Sequence, residues 1–321
     1  RKIWVSNLHV IATVCVVMLH VSSGAVSGGY PVGSSGWWAG NLFNTMSRFA
    51  VPVFLMLTGA LILPKYDGLK PFFRKRFGRI LPPFIFWSVV YFVVDLFGRY
   101  AAVRAEGDWL EVLRIFVDDM AFGGQYHLWY IYMLLGLYLF MPVLAVWIRN
   151  ATEKEIKYFL AVWLVVLVAG MFKNFTGEYL RYFGGYAGYL VLGYYLANKE
   201  FKKSSRSLRR IGAGLYLAGF LITFVGTYLI SQPSGEMNEF LYRRTMPNVL
   251  LCAVGIFLFV KNLPERSKQN RVTGFIESEG YGIYLVHALV INVLGHLGIR
   301  GALWHPAIWI PVTTVLCLFI S

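Results

Sequence analysis

Residues 4–21 read WVSNLHVIATVCVVMLHV, a run long and apolar enough to enter a bilayer. It carries Asn7, His9 and His20, and polar groups inside a span cost free energy unless they face a bundle interior or a cavity. His9 and His20 are eleven residues apart, close to three helical turns, so both lie on one face, roughly 16 Å apart along the axis. The run alone leaves two readings open. Each histidine bonds a backbone carbonyl of a neighbouring helix, or the pair marks a polar working site.

Outward from this run the composition agrees. Hydrophobic residues make up 57% and charged residues 14%, with mean hydropathy +0.58. These values exclude a soluble domain of 321 residues and predict an all-α polytopic membrane protein. About ten helices fit, near 4–23, 38–64, 80–98, 127–148, 156–172, 179–197, 211–231, 246–262, 274–298 and 306–321. No linker divides residues 1–321, which read as a single transmembrane domain. The chain begins at Arg1 and stops at Ser321 inside an apolar run, so both ends are expected to be trimmed. Polar groups interrupt the first apolar run, so no cleavable signal peptide is expected. Cys15, Cys252 and Cys317 all fall in apolar spans, without disulfide or metal-ligand spacing, so no metal is expected.

The net charge is +14. Its placement argues for a membrane and against nucleic acid. Of the Lys and Arg residues, 21 lie in one alternating set of loops and 8 in the other, with Arg48 inside a span. That asymmetry predicts a cytoplasmic N-terminus and contact with membrane lipid. The glycine-rich stretch 24–37 reads as a flexible outer loop, because no strand precedes it to make a nucleotide cradle. Asp108 to Met120 reads as a short amphipathic outer segment whose adjacent Asp118 and Asp119 point apart, unlike a glycosidase pair. The sequons at Asn150 and Asn174 are short enough to arise by chance.

Helix two places Asn41, Asn44 and Arg48 on one face. An intramembrane arginine needs a partner or a water-filled cavity. Pro52 and Gly59 allow a kink or a close helix contact. KPFFRKRFGRILPP, residues 70–83, then brings Arg74, Lys75, Arg76 and Arg79 together in a cytoplasmic loop. Such a cluster either anchors the chain at the surface or offers arginine forks to phosphate. Counting rise per residue puts His20 and Arg48 roughly 24 Å above the cytoplasmic surface, His287 roughly 20 Å and Tyr284 about 15 Å. Three basic residues from three helices are thus expected in one layer. Tyr126, His127, Leu128, Trp129 and Tyr130 open helix four, as an aromatic belt or as the rim of the same cavity.

NLHVIATVCVVMLH, SRFAVPVFLMLTGALIL, FFRKRFGRILPP, YHLWYIY and GYGIYLVHALVI, in that order, resemble successive signatures of the membrane-bound acyltransferase family 3. The resemblance covers essentially the whole chain and is nearest the type that O-acetylates enterobacterial common antigen. It implies a multi-pass enzyme of the bacterial inner membrane, alone or as a homo-oligomer. It implies transfer of an acetyl group from acetyl-CoA to a sugar hydroxyl of a cell-surface or lipid-linked glycan. It makes His20 catalytic, and Arg48, Arg76, Arg79, His127, Tyr284 and His287 also map onto family positions. Two departures stand out. His9 replaces the family's arginine, and Ser6 replaces an acidic neighbour. Glu279 matches the depth of His9, so a His9–Glu279 pair is expected to keep His9 protonated as an arginine substitute.

Acyl transfer to a hydroxyl needs a base and donors for the developing oxyanion. Neutral His20 suits the base, with Arg48 or protonated His287 as the donor. Arg74, Lys75, Arg76 and Arg79 suit the donor phosphates, with His9 and Glu279 assigned to the donor side. His127, Trp129, Tyr130, Asn44 and Tyr284 are expected to meet the acceptor. An acyl-histidine intermediate on His20 stays open. The rival reading is a transporter or flippase for a lipid-linked sugar, and a third is a membrane sensor or scaffold.

Overall fold

The computed structural model describes residues 2–122, 127–172, 185–264, 270–299 and 304–321. Among them every regular element is helical: α1 (Ile3–Gly24), α2 (Ser35–Ser47), α3 (Ala50–Ile62), α4 (Leu69–Phe97), α5 (Ala101–Glu106), α6 (Trp109–Phe122), α7 (Trp129–Asn150), α8 (Glu153–Ala169), α9 (Ala187–Asn198), α10 (Ser205–Ser231), α11 (Pro247–Lys261), α12 (Arg271–His296) and α13 (Pro306–Ile320). Among the described residues six helical stretches are long and apolar enough to cross a membrane: Ile3–Gly29, Ser35–Lys65, Leu69–Phe97, Trp129–Asn150, Ser205–Ser231 and Phe240–Lys261. The chain is an all-α, multi-pass membrane protein. Tyr126, Asn174 and the start of the span expected from residue 179 lie outside the described residues.

The chain forms two compact units, Arg1–Pro64 with Ile148–Ser321, and Lys65–Trp147. In the first, α1, α12 and α13 share an apolar core that includes Val17, Val21, Ile283, Ile291, Trp309 and Ile310. α3 and α9 touch backbone to backbone. A Cβ on Gly59 would fall on the Leu190 carbonyl, and one on Gly193 on the Met56 carbonyl. Small residues permit this approach where the surrounding lipid gives helices no hydrophobic reason to associate. α10 and α11 are joined by Asn248, whose amide donates to Thr223 Oγ1 and to the Leu241 carbonyl, both at 2.7 Å.

Four expectations change. The single helix expected over 38–64 is broken at Arg48 and Phe49. Pro52 has no N–H for the Arg48 carbonyl four residues earlier, and its ring crowds that carbonyl. The basic cluster lies on a helix, because α4 begins at Leu69 and not near residue 80. Pro71 sits in its first turn, where proline is tolerated, and Pro82 and Pro83 are carried inside, as membrane helices allow. Residues 24–37 hold regular structure at both ends. α1 runs to Gly24, the chain then kinks through Ser27 and Gly28, where Gly28 takes φ 93°, and Ser34 caps α2 by accepting the Trp37 N–H at 3.3 Å. The fourth change, at Glu279, belongs to the site.

In the second unit the 108–120 segment is helical, as α6. Asp108 caps α6, accepting the N–H groups of Leu110 and Glu111 at 3.1 Å. Asp119 accepts from the Tyr100 hydroxyl at 3.4 Å while Asp118 is exposed, so the two carboxylates do diverge.

Candidate active site

α1 carries His20 near its end, and α12 carries His287. Their ring centroids are 5.0 Å apart at 40°. His287 is fully buried, and His20 is half-buried. His287 Nδ1 lies 2.7 Å from the Tyr284 carbonyl and 3.2 Å from that of Ile283. Carbonyls only accept, so Nδ1 carries the proton of both contacts. The Tyr284 ring is 5.8 Å from His287.

Arg48 stands at the α2–α3 break. Its Nε donates to Asn44 Oδ1 at 2.7 Å, a second N–H reaches the same oxygen, and Nη1 donates to the Tyr242 carbonyl at 3.3 Å. The guanidinium also lies 3.8 Å above the Tyr242 ring. A guanidinium has five N–H donors, and among the described residues these three bonds leave two uncommitted. Asn44 turns its amide the other way. It donates to the Leu19 carbonyl at 3.2 Å, to Ser22 Oγ at 3.0 Å and to Ser23 Oγ at 3.3 Å. One buried side chain thus links Arg48 to the peptide that precedes His20. The Tyr242 hydroxyl donates to Asn41 Oδ1 at 2.6 Å, and the Asn41 amide donates to the Phe224 carbonyl at 2.9 Å. Asn41, Asn44 and Tyr242 are fully buried in this network, where hydrogen bonds strengthen one another.

His9 packs edge-on to Phe54, with centroids 5.5 Å apart. It faces Gly280, where an added Cβ would come within 2.6 Å of His9 Cε1. Glu279 is exposed and makes no ion pair among the described residues. The expected His9–Glu279 pair is therefore not formed. The depth was level, but neighbouring helical residues differ by about 100° around the axis, and Gly280 is the one turned inward.

Two residues join the site that sequence reading leaves out. Tyr242 holds Arg48 and Asn41. Arg244 is half-buried, bonds Tyr186 and lies within electrostatic reach of Tyr284. The available signal was two adjacent arginines directly before an apolar helix.

In the second unit, α4 displays Arg74, Lys75 and Arg79 as exposed cations and half-buries Arg76. Arg76 Nε is buried without a hydrogen-bond partner among the described residues. Phe73, Phe77 and Tyr138 form an aromatic row beside them, with centroids 5.5 and 6.5 Å apart. His127 is buried against Tyr91, ring to ring at 4.9 Å, and Trp129 meets Tyr130 at 6.2 Å.

A family model described as an acyltransferase domain matches residues 2–321. ORF330 of Acidianus two-tailed virus, whose name provisionally makes it an acetyltransferase, is 27% identical over 266 residues. The match covers 78% of this chain and 74% of that one. No solved structure matches the chain.

Proposed function

The chain belongs to acyltransferase family 3 and is an O-acyltransferase, and from that premise we propose that it moves an acetyl group from acetyl-CoA to a sugar hydroxyl, with His20 as general base. The observation that carries this reading is the half-buried His20 imidazole held against fully buried His287. The acceptor is a cell-surface or lipid-linked glycan of the common-antigen kind, and the enzyme works in the bacterial inner membrane.

The acceptor's hydroxyl proton passes to His20 as its oxygen attacks the thioester carbonyl carbon. The carbonyl π electrons move onto oxygen. Arg48 stabilises that oxyanion with the two N–H groups its own network leaves over. On collapse the C–S bond breaks, and the departing thiolate takes the proton back from His20. Arg74, Lys75, Arg76 and Arg79 hold the donor phosphates. The buried Arg76 Nε with no partner among the described residues, and the adjacent aromatic row, fit an anionic nucleotide. His127, Trp129 and Tyr130 offer stacking faces to a sugar.

The test is thiol release from acetyl-CoA by purified protein, with and without added glycan. Glycan-dependent release, matched by acetyl ester on the sugar, is expected. Movement of a lipid-linked sugar across liposomes without thiol release would favour a transporter instead.

A further inference from the structure

α6 is 14 residues long, too short to span a bilayer, and it shows three distinct flanks. At about 100° per residue, Val112, Ile115, Phe116 and Asp119 fall together. Val112 is buried, the Phe116 ring meets that of Phe92 on α4 at 4.9 Å, and Asp119 accepts from the Tyr100 hydroxyl at 3.4 Å. This flank packs on the protein. The next sector carries Trp109, Leu110, Leu113 and Val117, each more than half exposed. The remaining sector carries Glu111, Arg114 and Asp118, and Arg114 pairs with Glu111 at 3.7 Å.

Four large apolar side chains together on one open flank call for a cover other than water. The neighbouring helix shows what it is. α4 is long and apolar enough to cross a membrane, and Phe86, Val89, Val93 and Phe97 form an exposed apolar stripe along it. The stripe ends at Phe97, where the Arg104 guanidinium of α5 lies 4.3 Å over the ring. A cation drawn over the last apolar ring of a span is placed as at a bilayer boundary. Phe92, which seats Phe116, comes five residues before Phe97, so α6 lies roughly 7–8 Å to the apolar side of that boundary. The Tyr132 hydroxyl of α7, a second span, donates to the Met120 carbonyl at 2.7 Å and holds the other end of α6.

We propose that α6 is an interfacial helix, and that Trp109, Leu110, Leu113 and Val117 insert into the lipid leaflet at this end of α4. The polar flank points to water. The partner is a lipid surface with neutral headgroups. Asp108, Glu111 and Asp118 outnumber Arg114, so anionic headgroups would be repelled and apolar burial supplies the attachment. The attachment is independent of the chemistry at His20.

The test places a nitroxide label at Leu113→Cys, Val117→Cys and Asp118→Cys in turn, in full-length protein reconstituted into phosphatidylcholine vesicles. Unsubstituted protein, whose Cys15, Cys252 and Cys317 are buried, gives the background. Relaxation by oxygen and by a water-soluble nickel chelate reports depth. Labels at 113 and 117 are expected to favour oxygen and to sit about 5–10 Å inside the headgroup boundary, with the 118 label open to the chelate. Added phosphatidylglycerol should not deepen them. Chelate access at 113 and 117 would put the flank in water and overturn the proposal. Shielding of both labels from both reagents would mean that a protein partner or a second copy covers the flank, which overturns it equally. So would insertion that requires phosphatidylglycerol and is lost in high salt. If Leu113→Cys does not fold, Val117→Cys decides.

Discussion

The imidazole of His287 lies 5.0 Å from that of His20, and it gives its Nδ1 proton to two carbonyls of its own helix. The backbone of α12 therefore sets both the tautomer and the tilt of the ring that His20 rests against. His287→Phe keeps the ring and removes Nε2. The expected result is a fall of about a hundred-fold in kcat for thiol release, with KM for acetyl-CoA within about three-fold. An unchanged kcat would reduce His287 to packing.

Asn44 links Arg48 to the Leu19 carbonyl. Asn44→Leu strands both ends of a buried network. It should lower stability by about 1–3 kcal/mol, read as thermal unfolding in detergent, and reduce turnover by ten-fold or more. Asn44→Asp keeps the acceptor for Arg48 and loses the donor to Leu19, Ser22 and Ser23. It should unfold near wild type yet remain slow. Full activity in both variants would mean that the network serves only folding.

Two glycine-to-alanine changes should behave oppositely. At Gly59 the new methyl meets the Leu190 backbone, which cannot move aside, so Gly59→Ala should cost about 1–3 kcal/mol or more and sharply lower folded yield. At Gly78, inside α4, a Cβ meets nothing within 4 Å, so Gly78→Ala should be neutral or stabilise by about 0.5–1 kcal/mol. Purification yield and unfolding temperature of the pair check both.

Arg76 is the half-buried member of the basic cluster, with Tyr138 in electrostatic reach. Arg76→Ala should raise KM for acetyl-CoA about ten-fold or more and leave kcat nearly unchanged. Arg76→Lys should restore little, because an ammonium cannot grip phosphate with two parallel bonds. An unchanged KM in Arg76→Ala would return the cluster to membrane anchoring.

Axial depth was legible in the sequence, because a helix rises a constant amount per residue. His20 falls level with His287, and His9 faces Gly280 beside the expected Glu279. Rotation about the axis was not legible to better than one residue, and one residue turned Glu279 outward. The break at Arg48 was half-legible. Pro52 signalled a kink, but its effect lands four residues upstream, on the arginine itself. Arg244 was hidden for a different reason. Sequence reading counts it only as a loop charge, and the path of the turn after α10 carries it to Tyr186. The basic cluster was found by composition, while its helical setting was masked by Pro82 and Pro83, which would end a helix in water.

The most direct measurement of His20's role is thiol release from acetyl-CoA by protein in liposomes, wild type against His20→Ala and His20→Gln, with each variant's unfolding temperature measured alongside. A base at position 20 predicts a fall in turnover of about 10²–10⁴ in both variants at unchanged stability. Turnover within about three-fold of wild type in a folded His20→Ala protein would contradict it, and the proton would have to be taken by another group.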